Sequence, residues 1–322
     1  DSVYSGNATI NGTVFGCNNT NGSPQDDVNV NIYKTAHGSS PEATLYPNNP
    51  PSPYTEWNVA ALAANAALPQ RYAIEAVYGG GNLAAYTPVA DKSSTVHVYS
   101  CDNTIRSVFG GGNSADVGKG VASDLTVTQR ANTNVIIEGG RIHRVIGGGN
   151  GEVTSLPAAN IFGTASTIVY AGLIDEVYGG ANIRGSVDGI NLIMSNPNQS
   201  LLSNCNDEVY GAVFGCANAA PYNKSVITTI ECGVGTIGEL YGGSNQNYIG
   251  SPTNHNSGAH VTLNIYGGEY INVFAGSKGV AGSPGVAADI YGDVTLNLYG
   301  GTITNAFGGS DVNGNIDGSI TV

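Results

Sequence analysis

One motif recurs along this chain, and its spacing limits what the chain can fold into. An aliphatic residue, an aromatic and a glycine appear at Val14-Phe15-Gly16, Val77-Tyr78-Gly79, Val108-Phe109-Gly110 and Val177-Tyr178-Gly179. They return at Val213-Phe214-Gly215 and Leu240-Tyr241-Gly242, with Val145-Ile146-Gly147, Val273-Phe274-Ala275 and Ala306-Phe307-Gly308 as variants. The middle position advances by 63, 31, 37, 32, 36, 27, 33 and 33 residues. The first step equals one repeat plus an insertion of about 30 residues, so nine units fill the chain.

Each unit opens with a period-2 strand such as Val294-Thr295-Leu296-Asn297-Leu298-Tyr299, whose alternate residues share one face. A Gly300-Gly301 turn follows, then a second short strand from Thr302 to Phe307 and a polar third segment. No 3.6-residue periodicity runs through the units, which excludes helical and leucine-rich repeats, and a propeller blade needs four strands. One short coil cannot bury its apolar face alone, so coils must stack at roughly 4.8 Å. The expected fold is all-β: a single-stranded, right-handed parallel β-helix of about nine coils over residues 1–322. Residues 36–72 form its one insertion, a Pro-rich loop followed by a short helix that carries Trp57.

Composition agrees. The chain has 47 glycines and only 11% charged residues, but 41% hydrophobic residues, enough for a core with glycines at repeated turns. A net charge of −13 without a basic stripe argues against nucleic acid. No apolar run approaches the ~20 residues of a membrane helix.

Three residue columns emerge from the register. Asparagine recurs four residues after the aromatic position, at Asn19, Asn82, Asn113, Asn150, Asn182, Asn218 and Asn245, and the series ends as Lys278 and Asp311. Asparagine tolerates the left-handed backbone of a tight corner, and stacked amides form a hydrogen-bonded ladder. The functional alternative is an Asn row that binds a ligand. The aromatics of the motif form a second column, and Tyr4, Tyr33, Tyr99, Tyr266 and Tyr299 a third. In both, alternation puts the neighbouring aliphatic residue inside and the rings outside. The third column and Trp57 are therefore the candidate ligand-facing aromatics.

The acids look dispersed. Asp26-Asp27 and Asp207-Glu208 are the densest clusters, and neither has a basic partner at strand spacing. Arg141, His143 and Arg144 lie together with no acid nearby in sequence. A polysaccharide-cleaving site would gather two or three carboxylates on one strand face, so no catalytic residue is assigned. Asp311, Asn313 and Asn315 match the first positions of a calcium loop, but position 12 is Val322. No other metal site and no cofactor is expected. Cys205 and Cys232 both lie nine residues before their unit's aromatic, a register that suits a disulfide between neighbouring coils and equally a reduced pair. Cys17 and Cys216 belong to units too far apart to pair.

Both chain ends fall in the middle of a unit, and neither shows a capping helix. The expected partners are therefore a second copy stacked end to end, or flanking segments of a longer chain.

The units Val108-Phe109-Gly110-Gly111-Gly112-Asn113 and Leu298-Tyr299-Gly300-Gly301-Thr302-Ile303 resemble the glycine-rich repeats of large bacterial secreted and cell-surface β-helix proteins, the adhesin-like proteins of gut bacteria. The resemblance covers the chain outside residues 36–72. It implies an extracellular or cell-surface location and a role in adhesion, display or fibre formation, and it supplies no catalytic residues. A carbohydrate-binding module using the exterior aromatics is the first alternative, and a polysaccharide lyase or hydrolase the second.

Overall fold

The computed structural model describes residues 10, 12–35, 72–89, 91–121, 123, 126–196, 208–254 and 258–322. These residues form an all-β structure without helices, and Trp57 and the inserted loop lie outside them. Two parallel sheets of nine strands dominate it. The first contains β1 (Thr13–Phe15), β3 (Ile74–Tyr78), β5 (Thr104–Phe109), β9 (Arg141–Ile146) and β11 (Gly172–Tyr178). It continues through β13 (Glu208–Phe214), β15 (Thr236–Tyr241), β17 (Glu269–Phe274) and β19 (Thr302–Phe307). The second contains β2 (Val28–Ile32), β4 (Lys92–Val98), β8 (Ala131–Ile137), β10 (Ile161–Val169) and β12 (Val187–Met194). It continues through β14 (Val226–Ile230), β16 (Val261–Ile265), β18 (Val294–Leu298) and β20 (Ile320–Thr321). In each sheet the strands stack in chain order, an arrangement consistent with a parallel β-helix. A separate antiparallel hairpin, β6 (Lys119–Val121) with β7 (Thr126–Gln129), was not foreshadowed by the repeat.

The registers show why a repeat makes a core. Val77, Val108, Val145, Val177, Val213, Leu240 and Val273 pair in sequence across the first sheet, and all are fully buried. In the second sheet Val96, Val135, Thr167, Leu192, Thr228, Leu263 and Leu296 form the facing column. Each buried aliphatic side chain contributes about 1.5–3 kcal/mol. A slip of one residue would turn a whole column outward, so the pattern fixes the register.

The third segment is not purely polar, contrary to expectation. Single parallel bridges link Tyr86, Val117 and Ile161, and then Tyr222, Ile249, Ile290 and Ile316. All of these except Ile316 are buried. One inward residue among glycines and asparagines closes this side of the core, and so sparse a signal has no visible period.

Glycine serves two distinct purposes. Gly140, Gly268 and Gly301, at the turns from the second sheet into the first, have φ of 107°, 94° and 96°, where a Cβ is strained. The glycine after the aromatic has no such φ and is needed for close stacking. A Cβ on Gly215 would lie 1.9 Å from Thr228 Oγ1 and 2.3 Å from the Gly242 carbonyl.

Candidate functional surface

The seven asparagines meet in one continuous ladder. Each Nδ2 donates to the Oδ1 of the preceding asparagine: Asn82 to Asn19 at 2.8 Å, Asn113 to Asn82 at 2.9 Å and Asn150 to Asn113 at 3.1 Å. Asn182 to Asn150 follows at 2.7 Å, Asn218 to Asn182 at 2.8 Å and Asn245 to Asn218 at 2.9 Å. The backbone reason given for asparagine is corrected, because Ser114 is the only non-glycine with positive φ among the described residues. These asparagines are held by their amides. At Asn150, Asn182 and Asn218, where the ladder is buried, successive hydrogen bonds also polarise their neighbours. Beyond Asn245 the backbone column continues through Lys278 and Asp311, whose N–H groups donate to Ser244 and Ser277.

The ladder roofs the first aromatic column, which corrects the expectation of exposed rings. Tyr78, Phe109, Tyr178, Phe214, Tyr241 and Phe274 do lie opposite the valine column, yet they are buried in a cluster of their own. Neighbouring rings stack with centroids 4.5–5.1 Å apart, and Ile146 interrupts the column between Phe109 and Tyr178. Asn150 donates to the Tyr78 hydroxyl at 3.2 Å and Asn245 to that of Tyr178 at 3.3 Å. Lys278 lies 5.5 Å from the Tyr241 ring centroid, and the Tyr241 hydroxyl sits 3.0 Å from Glu239 and 2.9 Å from Asp311. Burial and these two carboxylates raise the Tyr241 hydroxyl far above the ordinary tyrosine range.

The second tyrosine column is open to solvent. Tyr33, Tyr266 and Tyr299 are 38%, 40% and 62% exposed, and Tyr99 is half-buried. Tyr33 stacks on Tyr99 at 4.9 Å and Tyr266 on Tyr299 at 4.6 Å. Between the two pairs the backbone column passes through Glu138, Tyr170, Ser195 and Glu231. The aromatics thus form two separate pairs, and Tyr170 belongs to the same position although its ring joins neither. Tyr4 lies outside the described residues, like Trp57.

Several acids meet a base in a neighbouring layer, which corrects the reading of Asp26-Asp27 and of His143 and Arg144 as lacking partners. His143 Nδ1 is 2.6 Å from Asp175, and Arg144 Nε is 2.7 Å from Glu176. Lys92 lies 2.6 Å from Asp26 and 3.5 Å from Asp27. Hydrogen bonding to Lys92 holds the Asp26 carboxyl below its usual range. Burial alone would raise the Asp188 carboxyl, but Lys224 and Arg130 outweigh it and lower it. Asp207 is outside the described residues, and Glu208 accepts from Asn196. The partners His143 and Asp175 are 32 residues apart, the same step as Val145 to Val177. Reading acids along the repeat rather than along local sequence would have found this pair.

Of the two states the register allowed, Cys232 is in the reduced one and forms no disulfide with Cys205. Cys232 is an exposed free thiol whose Sγ donates to the Tyr266 carbonyl at 3.4 Å, and Cys205 lies outside the described residues. The Glu231 N–H donates to Met194 O, and a Cβ on Gly233 would lie 2.9 Å from Asn196 O. These contacts seat Cys232 over the Ser195–Asn196 corner, so counting back from the aromatic misaligns the two units. Cys101 is disulfide-bonded, whereas Cys17 and Cys216 are free. Of the calcium-like residues, Asp311 accepts from Tyr241, and the Asn313 amide donates to Val280 O at 3.2 Å. Asn315 follows on the same turn, where its N–H donates to Asp289 at 2.8 Å. Among the described residues no three His, Cys, Asp or Glu side chains are grouped to hold a metal ion.

No family model, curated protein or solved structure matches this chain. The functional reading therefore rests on geometry. Amides bond amides and rings cover rings in the layer columns, and some acids face bases across layers. Such columns reinforce the stack along its axis, and the exposed side chains they leave include Tyr33, Tyr266, Tyr299 and Cys232.

Proposed function

We propose that this chain is a right-handed parallel β-helix of about nine coils that serves as a rigid structural or adhesive module on a bacterial surface or outside the cell. It acts either as an internal block of a longer protein or as a subunit of a fibre. The observation that carries this reading is the uninterrupted Asn19-to-Asn245 ladder: a side-chain column running through seven successive layers resists bending and shear of the stack. A local binding site needs no such continuity. Immunogold labelling of cells that produce the protein, with a polysaccharide depolymerisation assay beside it, tests the reading. Surface-associated label without unsaturated or reducing-end products is expected. Cytoplasmic label, or polysaccharide cleavage, would overturn it.

A carbohydrate-binding role is the second reading, favoured by the 62% exposure of Tyr299. It is weakened by the stacking itself, since a ring packed face to face on its neighbour loses that face to a sugar. Tyr299 stacks on Tyr266 through one face and can offer only the other.

A further inference from the structure

We infer that the outer face of the second sheet docks on the same face of a second copy of this chain, the two stacks lying side by side about a two-fold axis. The contact is lateral, so it goes beyond the role proposed above and does not depend on how the stack continues along its axis.

Two outward columns cross this face, one on either side of the inward column from Val96 to Leu296. Over the eight strands from β2 to β18 they make sixteen positions, and none is Asp, Glu, Lys or Arg. The outer face of the first sheet differs, since it carries Arg106, His143, Arg144, Asp175, Glu176 and Glu239. At the centre of the uncharged face Ile136, Ile168 and Ile193 pair in sequence in one column. Ile227, 57% exposed, stands beside them on the next strand. All four lie on strands paired on both sides, so their exposure owes nothing to either end of the chain.

The polar side chains of the face are already bonded along the axis. Asn134 donates to Thr95 at 3.2 Å, Asn191 to Ser166 at 3.3 Å and Asn297 to Asn264 at 2.8 Å. Polar groups that keep such bonds cost little to bury. Charged residues return only at the rims, with Glu138 and Glu231 at the tyrosine corner and Lys92 and Lys224 at the opposite edge. An uncharged centre inside a charged rim is the anatomy of a protein interface.

Charge, repeat and area select the occupant. With a net charge of −13, two copies repel wherever their carboxylates face each other, and this face lets them approach without opposed like charges. Its side-chain rows recur at about 4.8 Å, and another copy presents rows of the same spacing over the same length. Eight strands of about five residues span about 38 by 16 Å, or about 600 Å² per copy and about 1,200 Å² for the pair. That reaches the range of specific, stable interfaces. A two-fold contact closes on itself, so the product is a dimer.

Sedimentation equilibrium at micromolar concentrations tests the contact. It should resolve a species of twice the 32.8 kDa chain mass, and added salt should tighten it by screening the mutual repulsion. Ile168→Glu, which sets two carboxylates against each other, should weaken the dimer at least tenfold with the far-ultraviolet β signal unchanged. Ile227→Glu alters a side chain already open to solvent in the single copy and should weaken it as well. Ser107→Glu, on the outer face of the first sheet, should leave it unaltered. Monomers at every concentration, dimers indifferent to both glutamates on the face, or dimers that dissociate as salt rises would overturn the inference. So would a monomer whose Ile168→Cys thiol resists alkylation, because another segment of the same chain would then cover the face.

Discussion

Two aromatic columns run along this molecule with the same layer spacing, and they have opposite fates. Phe214 and Tyr241 stack at 4.6 Å and are essentially inaccessible. Tyr266 and Tyr299 stack at the same 4.6 Å and remain 40% and 62% exposed. Both sit opposite an inward aliphatic column, so strand alternation does not distinguish them. What differs is the next corner. After Phe214 the chain turns through Gly215, Cys216 and Ala217 and presents the asparagine ladder beside the rings. After Tyr266 it turns at Gly267 and Gly268 directly into β17, and both rings stay exposed although the Asn297–Asn264 bond lies on the same face. Alternation decides which side of a sheet a ring occupies, and the neighbouring turn decides whether it becomes core.

The widest separation between the columns should come from ring deletion. Phe214→Ala is expected to cost about 3–5 kcal/mol, as for a buried aromatic that leaves a cavity, whereas Tyr266→Ala should cost less than about 1 kcal/mol. Urea midpoints at constant slope measure both, and similar losses would dissolve the distinction. Next comes the roof: Asn182→Ala interrupts the ladder on both sides and should cost about 1–3 kcal/mol, because Asn150 and Asn218 each lose a partner. Asn297→Ala, which removes a 2.8 Å bond to Asn264 on the solvent side of the second sheet, should cost about 0.5 kcal/mol or less. Smallest in energy is a chemical contrast. Cys216 lies two residues after Phe214, and burial pushes its thiol up to about 12, whereas Cys232 is exposed. Alkylation at pH 8 followed by peptide mass spectrometry should modify Cys232 within minutes and spare Cys216 until the protein unfolds. Equal labelling would mean that the corner behind the buried column opens readily.

The sequence exposed the parts of this molecule that recur in every unit. Val77, Val108 and Val145 recur at the layer spacing, so the parallel pairing could be read from their positions, and the same spacing marked Asn82, Asn113 and Asn150 as one column. Features set by a single neighbouring segment were not legible. The burial of Tyr178 depends on Asn245, 67 residues away, and the pairing of His143 depends on Asp175 in the next layer. Cys232 was misplaced because units of unequal length do not align when counted from one end. Tyr86 and Ile290 close the third side singly, and one inward residue per unit has no period to detect.

Electron microscopy of the protein from its native source tests the structural reading most directly. The account expects straight rods, much longer than the about 43 Å spanned by nine layers, with a reflection near 4.8 Å along the axis. Isolated particles of about 43 Å or less, with no axial reflection, would contradict it and make the exposed Tyr266–Tyr299 pair the first place to look for a bound sugar.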